Sequence, residues 1–376
     1  MSSHLASQKK GCIPEPIYPE ASEGIQVLDD VISCWEQLHA TPIQESVLNL
    51  LKKICRLGYE SLPTFKIGYT TKPTQAHLIR DLFDNENVQY RNTITGKDGG
   101  TICDFLAAWN NLRDNPGADI NDRLQICYSA WGVKATQNGL LDCGFQVPEF
   151  LLVHTVFLSP VGNGDELPFD SGNEPPCFHS ILTPAGTVTD IHCDSEIAAS
   201  LLVQLYGTKV LFSWPGTKAN RDYFQKSYGT EHHLRLPEAV SKMIEGFRLT
   251  ILNPGDALVL KPGMIHAVVS PDNSAIGCWE YVDAKWLDSS DSTAGIFNGA
   301  RWLLDLVGSR GAQLPTDETK EQMYNPLKYG LSLWKCLLQN LQNHMHGHSR
   351  MNQKYVKRAS EFVNWLEREI PASEDD

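Results

Sequence analysis

Hydrophobic residues follow a helical spacing in the first part of the chain. Apolar side chains recur every three or four residues, which predicts amphipathic helices. The segments with this spacing are 25–38, 44–57, 74–84 and 102–113. The residues before them are rich in Ser, Pro and Lys. We therefore predict a flexible N-terminus at 1–22 and a helical N-terminal region at 23–147.

The pattern changes near residue 148 to short apolar runs separated by turn residues. The candidate strands are 150–158, 176–182, 187–194, 198–206, 208–214, 248–252, 256–261, 265–270 and 275–283. Turn residues lie between them, as at Gly207 and in Asn253-Pro254-Gly255-Asp256. Many short strands with such turns predict a sandwich or a barrel, which we place at 148–290.

Helical spacing returns in the last part of the chain. The segments 321–341 and 353–369 are both amphipathic in pattern, and we predict a helical C-terminal region at 291–370 with a disordered tail at 371–376. The predicted fold class is therefore α+β, with a β-barrel core between a helical N-terminal region and a C-terminal helical cap.

Composition and charge narrow the classes of partner. The chain has 376 residues, of which 41% are hydrophobic and 20% charged, which is typical of a globular protein with a real core. The net charge of -13 argues against direct binding to nucleic acids or anionic membranes, because those affinities come largely from Lys and Arg. A basic protein partner, such as a histone tail, is compatible with it.

Targeting signals and cysteine spacing indicate the compartment. We find no apolar segment near the N-terminus and no run of about 18 apolar residues, so we expect neither a signal peptide nor a membrane span. The ten cysteines are dispersed and form no Cys-x-x-Cys pair, which indicates free thiols rather than a zinc module. We expect an intracellular protein, nuclear or cytoplasmic.

The most informative segment for chemistry is Thr189-Asp190-Ile191-His192-Cys193-Asp194. Side chains two apart in a strand share a face, so His192 and Asp194 can reach one metal ion. His266, in a second predicted strand, is the best candidate for a third ligand. Two imidazoles and one carboxylate suit Fe(II) with positions left open. Alone, a His-x-Asp pair often occurs by chance, and a single histidine often only packs; their shared β-rich context favours the metal.

The chain from Thr189 to Val282 resembles the JmjC domain of 2-oxoglutarate oxygenases, most closely the branch that includes the histone H3 lysine-36 demethylases. The matching motifs are Thr189 to Asp194, Gly207-Thr208-Lys209, and Pro262 to Val268. The resemblance implies a double-stranded β-helix core, of the cupin or jelly-roll type. It also implies Fe(II) held by His192, Asp194 and His266.

The same resemblance implies a cosubstrate site. Lys209 would bind the distal carboxylate of 2-oxoglutarate, Thr189 would hydrogen-bond the same group, and O2 would be the oxidant. On the residues alone, an exposed edge-strand lysine is the better interpretation of Lys209, and the family pattern reverses that preference. A further polar residue usually helps to hold this cosubstrate in the family, and Ser180 and Tyr128 are weak candidates for it.

The function implied by the resemblance is oxidation of a C–H bond on a protein side chain. Demethylation of histone N-methyl-lysine is the leading expectation. Stable hydroxylation of a protein or a small molecule is an alternative, favoured by the lack of a Cys-rich zinc module. A catalytically inactive binding module is a third reading, weakened because all four of its key residues are present. A homodimer through the helices at 321–369 is a further expectation.

Overall fold

The computed structural model describes most of the residues between Pro42 and Asp283. The described ranges are 42–57, 59–86, 88–92, 99–110, 128–137, 139–144, 155–158, 179–194, 199–227, 234–243 and 245–283. Elsewhere only isolated helical positions are described. The helices expected at 25–38, 321–341 and 353–369, and with them the dimer contact, therefore lie essentially outside the described residues.

Five α-helices, one 3-10 helix and twelve strands can be bounded within these ranges. The helices are α1 (Pro42–Leu57), α2 (Gln75–Asp84), α3 (Ile102–Trp109), the 3-10 helix Leu140–Cys143, α4 (Lys218–Ser227) and α5 (Leu236–Lys242). The strands are β1 (Phe65–Lys66), β2 (Gln89–Asn92), β3 (Tyr128–Lys134), β4 (Thr155–Leu158), β5 (His179–Thr183), β6 (Thr187–His192), β7 (Ala199–Tyr206), β8 (Lys209–Trp214), β9 (Arg248–Leu252), β10 (Asp256–Leu260), β11 (Ile265–Ser270) and β12 (Ser274–Asp283). Among the described helices, none has the length and apolar character needed to cross a membrane.

The strands form two antiparallel sheets. The larger has eight strands in the order β1-β10-β7-β12-β5-β3-β2, with β4 paired to β12. The smaller has the order β6-β11-β8-β9. From β5 to β12 the chain passes repeatedly between the two sheets. This α+β arrangement is compatible with a jelly roll.

Apolar side chains lie on both faces of each sheet. An inner cluster between the sheets includes Leu202, Leu211, Leu258 and Ile276. The outer face of the small sheet packs under α1 and α5, and the outer face of the large sheet packs under α2 and α3. Because side chains alternate along a strand, the residues between the outward-facing ones line the barrel interior.

The strand predictions hold well in the C-terminal part of the core. All nine predicted strands overlap an observed strand. The region 23–147, predicted as helical, contains helices but also β1, β2 and β3, which the sequence analysis missed. Strand β3 pairs with β5, so the large sheet begins well before residue 148. The two-residue β1 and the polar β2 carry too little alternation to be recognised.

Candidate metal centre

Three side chains converge at one end of the barrel. His192, Asp194 and His266 each offer a ligand atom, and these atoms lie within 4.8 Å of one another. His192 Nε2 is 3.4 Å from Asp194 Oδ1, and His266 Nε2 is 3.7 Å from Asp194 Oδ2. Both distances are below the roughly 4.2 Å between opposite ligands held at about 2.1 Å from one ion. The three side chains could therefore hold a metal.

An irregularity in strand pairing sets the direction of His192. In the register of β6 against β11, His266 pairs with His192 and Val268 pairs with Thr189. One residue of β11 thus faces two of β6, which is a β-bulge. The bulge places Thr189 and His192 on the same inward face. Strand β6 ends at His192, and Asp194 follows in a bend rather than in the strand predicted for it.

Backbone carbonyls orient both imidazoles. His192 Nδ1 lies 2.8 Å from the carbonyl oxygen of Asp190, and His266 Nδ1 lies 3.4 Å from that of Met264. Because a carbonyl oxygen can only accept, each Nδ1 carries the proton. The Nε2 atoms of both rings face Asp194, and the Nε2 of a neutral ring is free to bind a metal. This tautomer is the one that metal-binding histidines need.

The carboxylate and the two imidazoles strongly affect one another's charge. Burial favours the neutral form of His192, but its hydrogen bond to Asp194, the Asp194 charge and its contacts with Asp190 together outweigh this and raise the pKa of His192. Burial and the neighbouring His192 lower the pKa of His266 to about 4. The pKa of Asp194 is lowered, because the two histidines and the Ser200 hydroxyl, 3.3 Å away, outweigh its burial. The group therefore presents a carboxylate and at least one neutral imidazole.

A buried ion pair supports the bulge from outside the barrel. Asp190 is 5% exposed and accepts hydrogen bonds from Arg235 Nε at 3.0 Å and from the backbone N–H groups of Arg235 and Leu236. Arg235 Nη2 also donates to the carbonyl oxygen of Ile191 at 2.7 Å. Asp190 and Ile191, the two residues of the bulge, are thereby hydrogen-bonded to the start of α5. Sequence reasoning missed Arg235, because nothing local links it to Asp190.

Lys209 is buried deep in the barrel at the opposite end of the inner face. It is 3% exposed, and its Nζ donates to Thr183 Oγ1 at 2.9 Å and Ser270 Oγ at 3.0 Å. Burial lowers the pKa of Lys209 to about 7, although Asp272 partly opposes this. A buried ammonium held by neutral hydroxyls is costly unless an anion joins it. The edge-strand alternative for Lys209 is therefore wrong.

Thr189 lies between the lysine and the metal residues. Strand pairing places Ser270 opposite Thr187, and Val268 opposite Thr189. Thr189 is thus one inward-facing step nearer to His192 than the level of Ser270. From His266 to Ser270 the strand rises roughly 13 Å, a span that an extended Lys209 side chain and a short dicarboxylate can fill together. Thr189 lies on the inner face between the two ends of this span.

Orphaned polar atoms line the same interior. Ser213, paired with His266 in the β11–β8 register, and Ser274, paired with Thr183, each have a buried hydroxyl without a hydrogen-bond partner among the described residues. Buried hydroxyls usually have partners. Ser213 lies beside the metal residues, and Ser274 lies beside Thr183, which contacts Lys209. The lining therefore fits a polar ligand with an acidic group at each end, as 2-oxoglutarate has.

The structure excludes both weak candidates for a further cosubstrate residue. Ser180 donates to the carbonyl oxygen of Val133 and alternates with the inward Ile181. Tyr128 packs its ring against Gly100, where an added Cβ would lie 2.5 Å from it, and shares its strand parity with the outward Ala130. Strand alternation turns both side chains away from the interior. Thr183 and Ser270 contact Lys209 instead, which only the register could reveal.

A polar wall on the large sheet, formed by Ser200, Cys278 and Glu280, adjoins the metal residues. Glu280 pairs with Ser200, and Cys278 pairs with His179, across neighbouring strands. Because paired residues share a face, Glu280 lies on the same face as the Ser200 hydroxyl that contacts Asp194. Burial and the Asp194 charge raise the pKa of Glu280 to about 7. Sequence reasoning missed this wall; a charged residue inside the apolar run of β12 was the available signal.

Comparisons with known proteins give a limited similarity. No family model matches the chain. A JmjC domain-containing histone demethylation protein 1 from Caenorhabditis elegans is 30% identical over 98 residues, and the protein of that name from Caenorhabditis briggsae is 28% identical over 98 residues. Each match spans 26% of this chain but only 9% of the relative. This supports a relationship to JmjC-domain proteins at the level of one segment.

Proposed function

We propose that the chain is an Fe(II)- and 2-oxoglutarate-dependent oxygenase with a double-stranded β-helix of the JmjC type. The observation that carries this proposal is the convergence of His192, Asp194 and His266 in the barrel that also buries Lys209. Two imidazoles and a carboxylate leave positions open on Fe(II). When bound, Fe(II) and 2-oxoglutarate would supply oxidation of a C–H bond by O2, with release of succinate and CO2.

The chain's own residues would bind and orient these groups. His192, Asp194 and His266 would hold the metal through Nε2 atoms already oriented by backbone carbonyls. Lys209 would meet the distal carboxylate, and Thr189 would donate a hydrogen bond to it. The apolar residues between the two ends, including Leu211 and Val268, would exclude water from the cosubstrate.

The proposed substrate is a protein side chain, with histone N-methyl-lysine as the leading case. The similarity to proteins named for histone demethylation supports this choice, and so does the net charge of -13, which favours a basic partner. Removal of an N-methyl group would release formaldehyde. A nuclear or cytoplasmic location follows from such a substrate.

Hydroxylation of a protein side chain is the second candidate. Its support is the polar wall of Ser200, Cys278 and Glu280 beside the metal residues. A fully methylated ammonium is usually recognised by a cage of aromatic rings. A polar wall suits a side chain that keeps its own polar groups after oxidation.

Succinate release from 2-oxoglutarate by anaerobically purified, Fe(II)-loaded protein tests the proposal. Methylated histone H3 peptides are added as a panel, and His192→Ala is the control. We expect turnover that peptide stimulates and the variant abolishes. Formaldehyde in the same reaction assigns demethylation, and its absence with an oxidised peptide assigns hydroxylation. No consumption of 2-oxoglutarate under any condition contradicts the proposal and favours an inactive binding module.

A further inference from the structure

Glu280, at the metal end of the barrel, has no counter-ion among the residues that the structure describes. It is partly buried in β12 and lies opposite Ser200. Within the part of the chain that the structure describes, ion pairs join Lys or Arg side chains to Asp256, Asp222, Asp190, Glu60 and Glu361, and none joins one to Glu280. A carboxylate this enclosed is costly unless a cation or donors meet it.

Glu280 is close to the metal residues but separate from them. Ser200 connects the two, since its hydroxyl is 3.3 Å from Asp194 Oδ2 and its paired residue is Glu280. Directly paired residues have Cβ atoms about 5 Å apart. The cluster of potential ligand atoms within 4.8 Å contains only His192, Asp194 and His266 among the described residues. Glu280 therefore lies beside the centre and is not one of its three candidate ligands.

The charge of the proposed centre leaves Glu280 unmatched. Fe(II) carries two positive charges and Lys209 one, while Asp194 carries one negative charge and 2-oxoglutarate two. These sum to zero before Glu280 is counted. When Glu280 is ionised, the loaded site therefore carries one net negative charge, which a singly charged cation would cancel.

We propose that Glu280 is a specificity-determining residue that pairs with a positively charged nitrogen on the substrate. This inference rests on the proposed function. The pairing selects an ammonium group over a neutral group of the same shape, whether the subsequent reaction removes an N-methyl group or hydroxylates the chain. An ionised carboxylate accepts charge-assisted hydrogen bonds from such a nitrogen, and the pairing of Glu280 with Ser200 puts this carboxylate on the face that carries the metal residues.

Binding of two small probes to Mn(II)-loaded protein tests the pairing without turnover. The protein is kept anaerobic and saturated with 2-oxoglutarate. The probes are N-methylbutylammonium and its neutral analogue butyl methyl ether. Proton NMR follows the relaxation of each methyl group by the bound Mn(II), and Zn(II)-loaded protein gives the diamagnetic baseline. The readout is therefore binding near the metal, independent of activity.

We expect the ammonium probe to bind the wild-type protein more tightly than the ether. Glu280→Gln should weaken ammonium binding by about tenfold or more, the range for a hydrogen bond to a charged group, while leaving ether binding unchanged. Glu280→Asp, which keeps the charge, should retain the preference for the ammonium. Glu45→Gln, which removes an exposed carboxylate of α1, is the matched control and should bind as wild type does.

Equal binding of the ammonium to wild-type protein and Glu280→Gln overturns the inference, as does equal binding of ammonium and ether to the wild type. Circular dichroism checks that each variant is folded, and Glu280→Asp provides the comparison if Glu280→Gln is not. Mn(II) and 2-oxoglutarate binding are measured first. If these fail, the proposed function fails and the inference with it. If they succeed and Glu280 has no effect, only the inference is wrong.

Discussion

His192 and His266 face each other across antiparallel strands β6 and β11, with their ring centroids 4.1 Å apart. A backbone carbonyl fixes the proton of each ring on Nδ1, so both Nε2 atoms converge on the Asp194 carboxylate. Two distant segments of the chain thus form one site. The arrangement is set by strand register, and it can be tested one ligand at a time.

Removal of His266 should abolish tight metal binding. We expect His266→Ala to weaken Co(II) or Mn(II) binding by at least about 100-fold, because two remaining ligands cannot enclose an ion. Calorimetric titration measures the affinity. His179→Ala, which removes another inward-facing imidazole of the barrel, is the matched control and should bind metal normally. A similar loss in both variants would assign the effect to folding rather than ligation.

Cosubstrate affinity should depend on the protonation of Lys209. Its pKa is lowered to about 7 by burial, and a dianion binds only the charged form well. We expect the dissociation constant of 2-oxoglutarate to be nearly constant below pH 7. It should then rise by up to about tenfold per pH unit above it. Titration calorimetry from about pH 6 to pH 9 measures this.

Lys209→Arg provides the comparison for this pH profile. A guanidinium stays charged throughout the range, so the variant should show a shallower dependence even if its affinity is lower. An identical steep profile in both proteins would locate the titrating group elsewhere.

The same lysine should destabilise the protein without cosubstrate. Its pKa is lower in the folded protein than the ordinary value of 10.5, so the unfolded chain binds more protons between about pH 7 and pH 10. Wild-type stability should therefore rise with pH in that window. Lys209→Met should be more stable at pH 7, by about 1–4 kcal/mol, and should lack this rise. Urea unfolding measures both; a less stable variant at pH 7 would contradict the account.

Loss of the Asp190–Arg235 pair should weaken metal binding, although neither residue is a candidate ligand. Arg235→Met leaves Asp190 with backbone donors only, so we expect a loss of about 2–4 kcal/mol in the free energy of unfolding. Metal affinity should fall by about tenfold or more, because the bulge that directs His192 loses its support. Unfolding and Co(II) titration measure the two effects. Normal metal affinity in a folded variant would show that the pair is only structural.

Two glycines offer a matched test of the turn before Lys209. Gly207 and Gly263 both have positive φ, +63° and +71°, but an added Cβ at Gly207 would lie 2.1 Å from the Asn273 carbonyl oxygen, whereas Gly263 has nothing within 4 Å. We expect Gly263→Ala to cost about 1 kcal/mol through backbone strain alone. Gly207→Ala should cost at least twice that. Equal losses of stability in thermal unfolding would contradict this expectation, because they would show that Asn273 can move away from the added Cβ at little cost.

The sequence was informative where local pattern determines structure. Alternation and turn residues predicted strands β4 to β12, and motif spacing identified His192, Asp194 and His266 as a group. The side of a strand that faces inward depends on pairing and on bulges, which no local pattern records. Thr183, Ser200 and Glu280 were therefore missed. Ser180 was named as a weak cosubstrate candidate for the same reason, and its side chain faces away from the interior.

The central claim is that one site binds Fe(II) and 2-oxoglutarate together. Anaerobic calorimetric titration of Fe(II)-loaded protein with 2-oxoglutarate tests it most directly, beside the metal-free protein, His266→Ala and Lys209→Met. We predict binding of one molecule per chain that is lost without metal and in His266→Ala, and strongly weakened in Lys209→Met. No binding by the loaded protein, or equal binding in all four samples, would contradict the account.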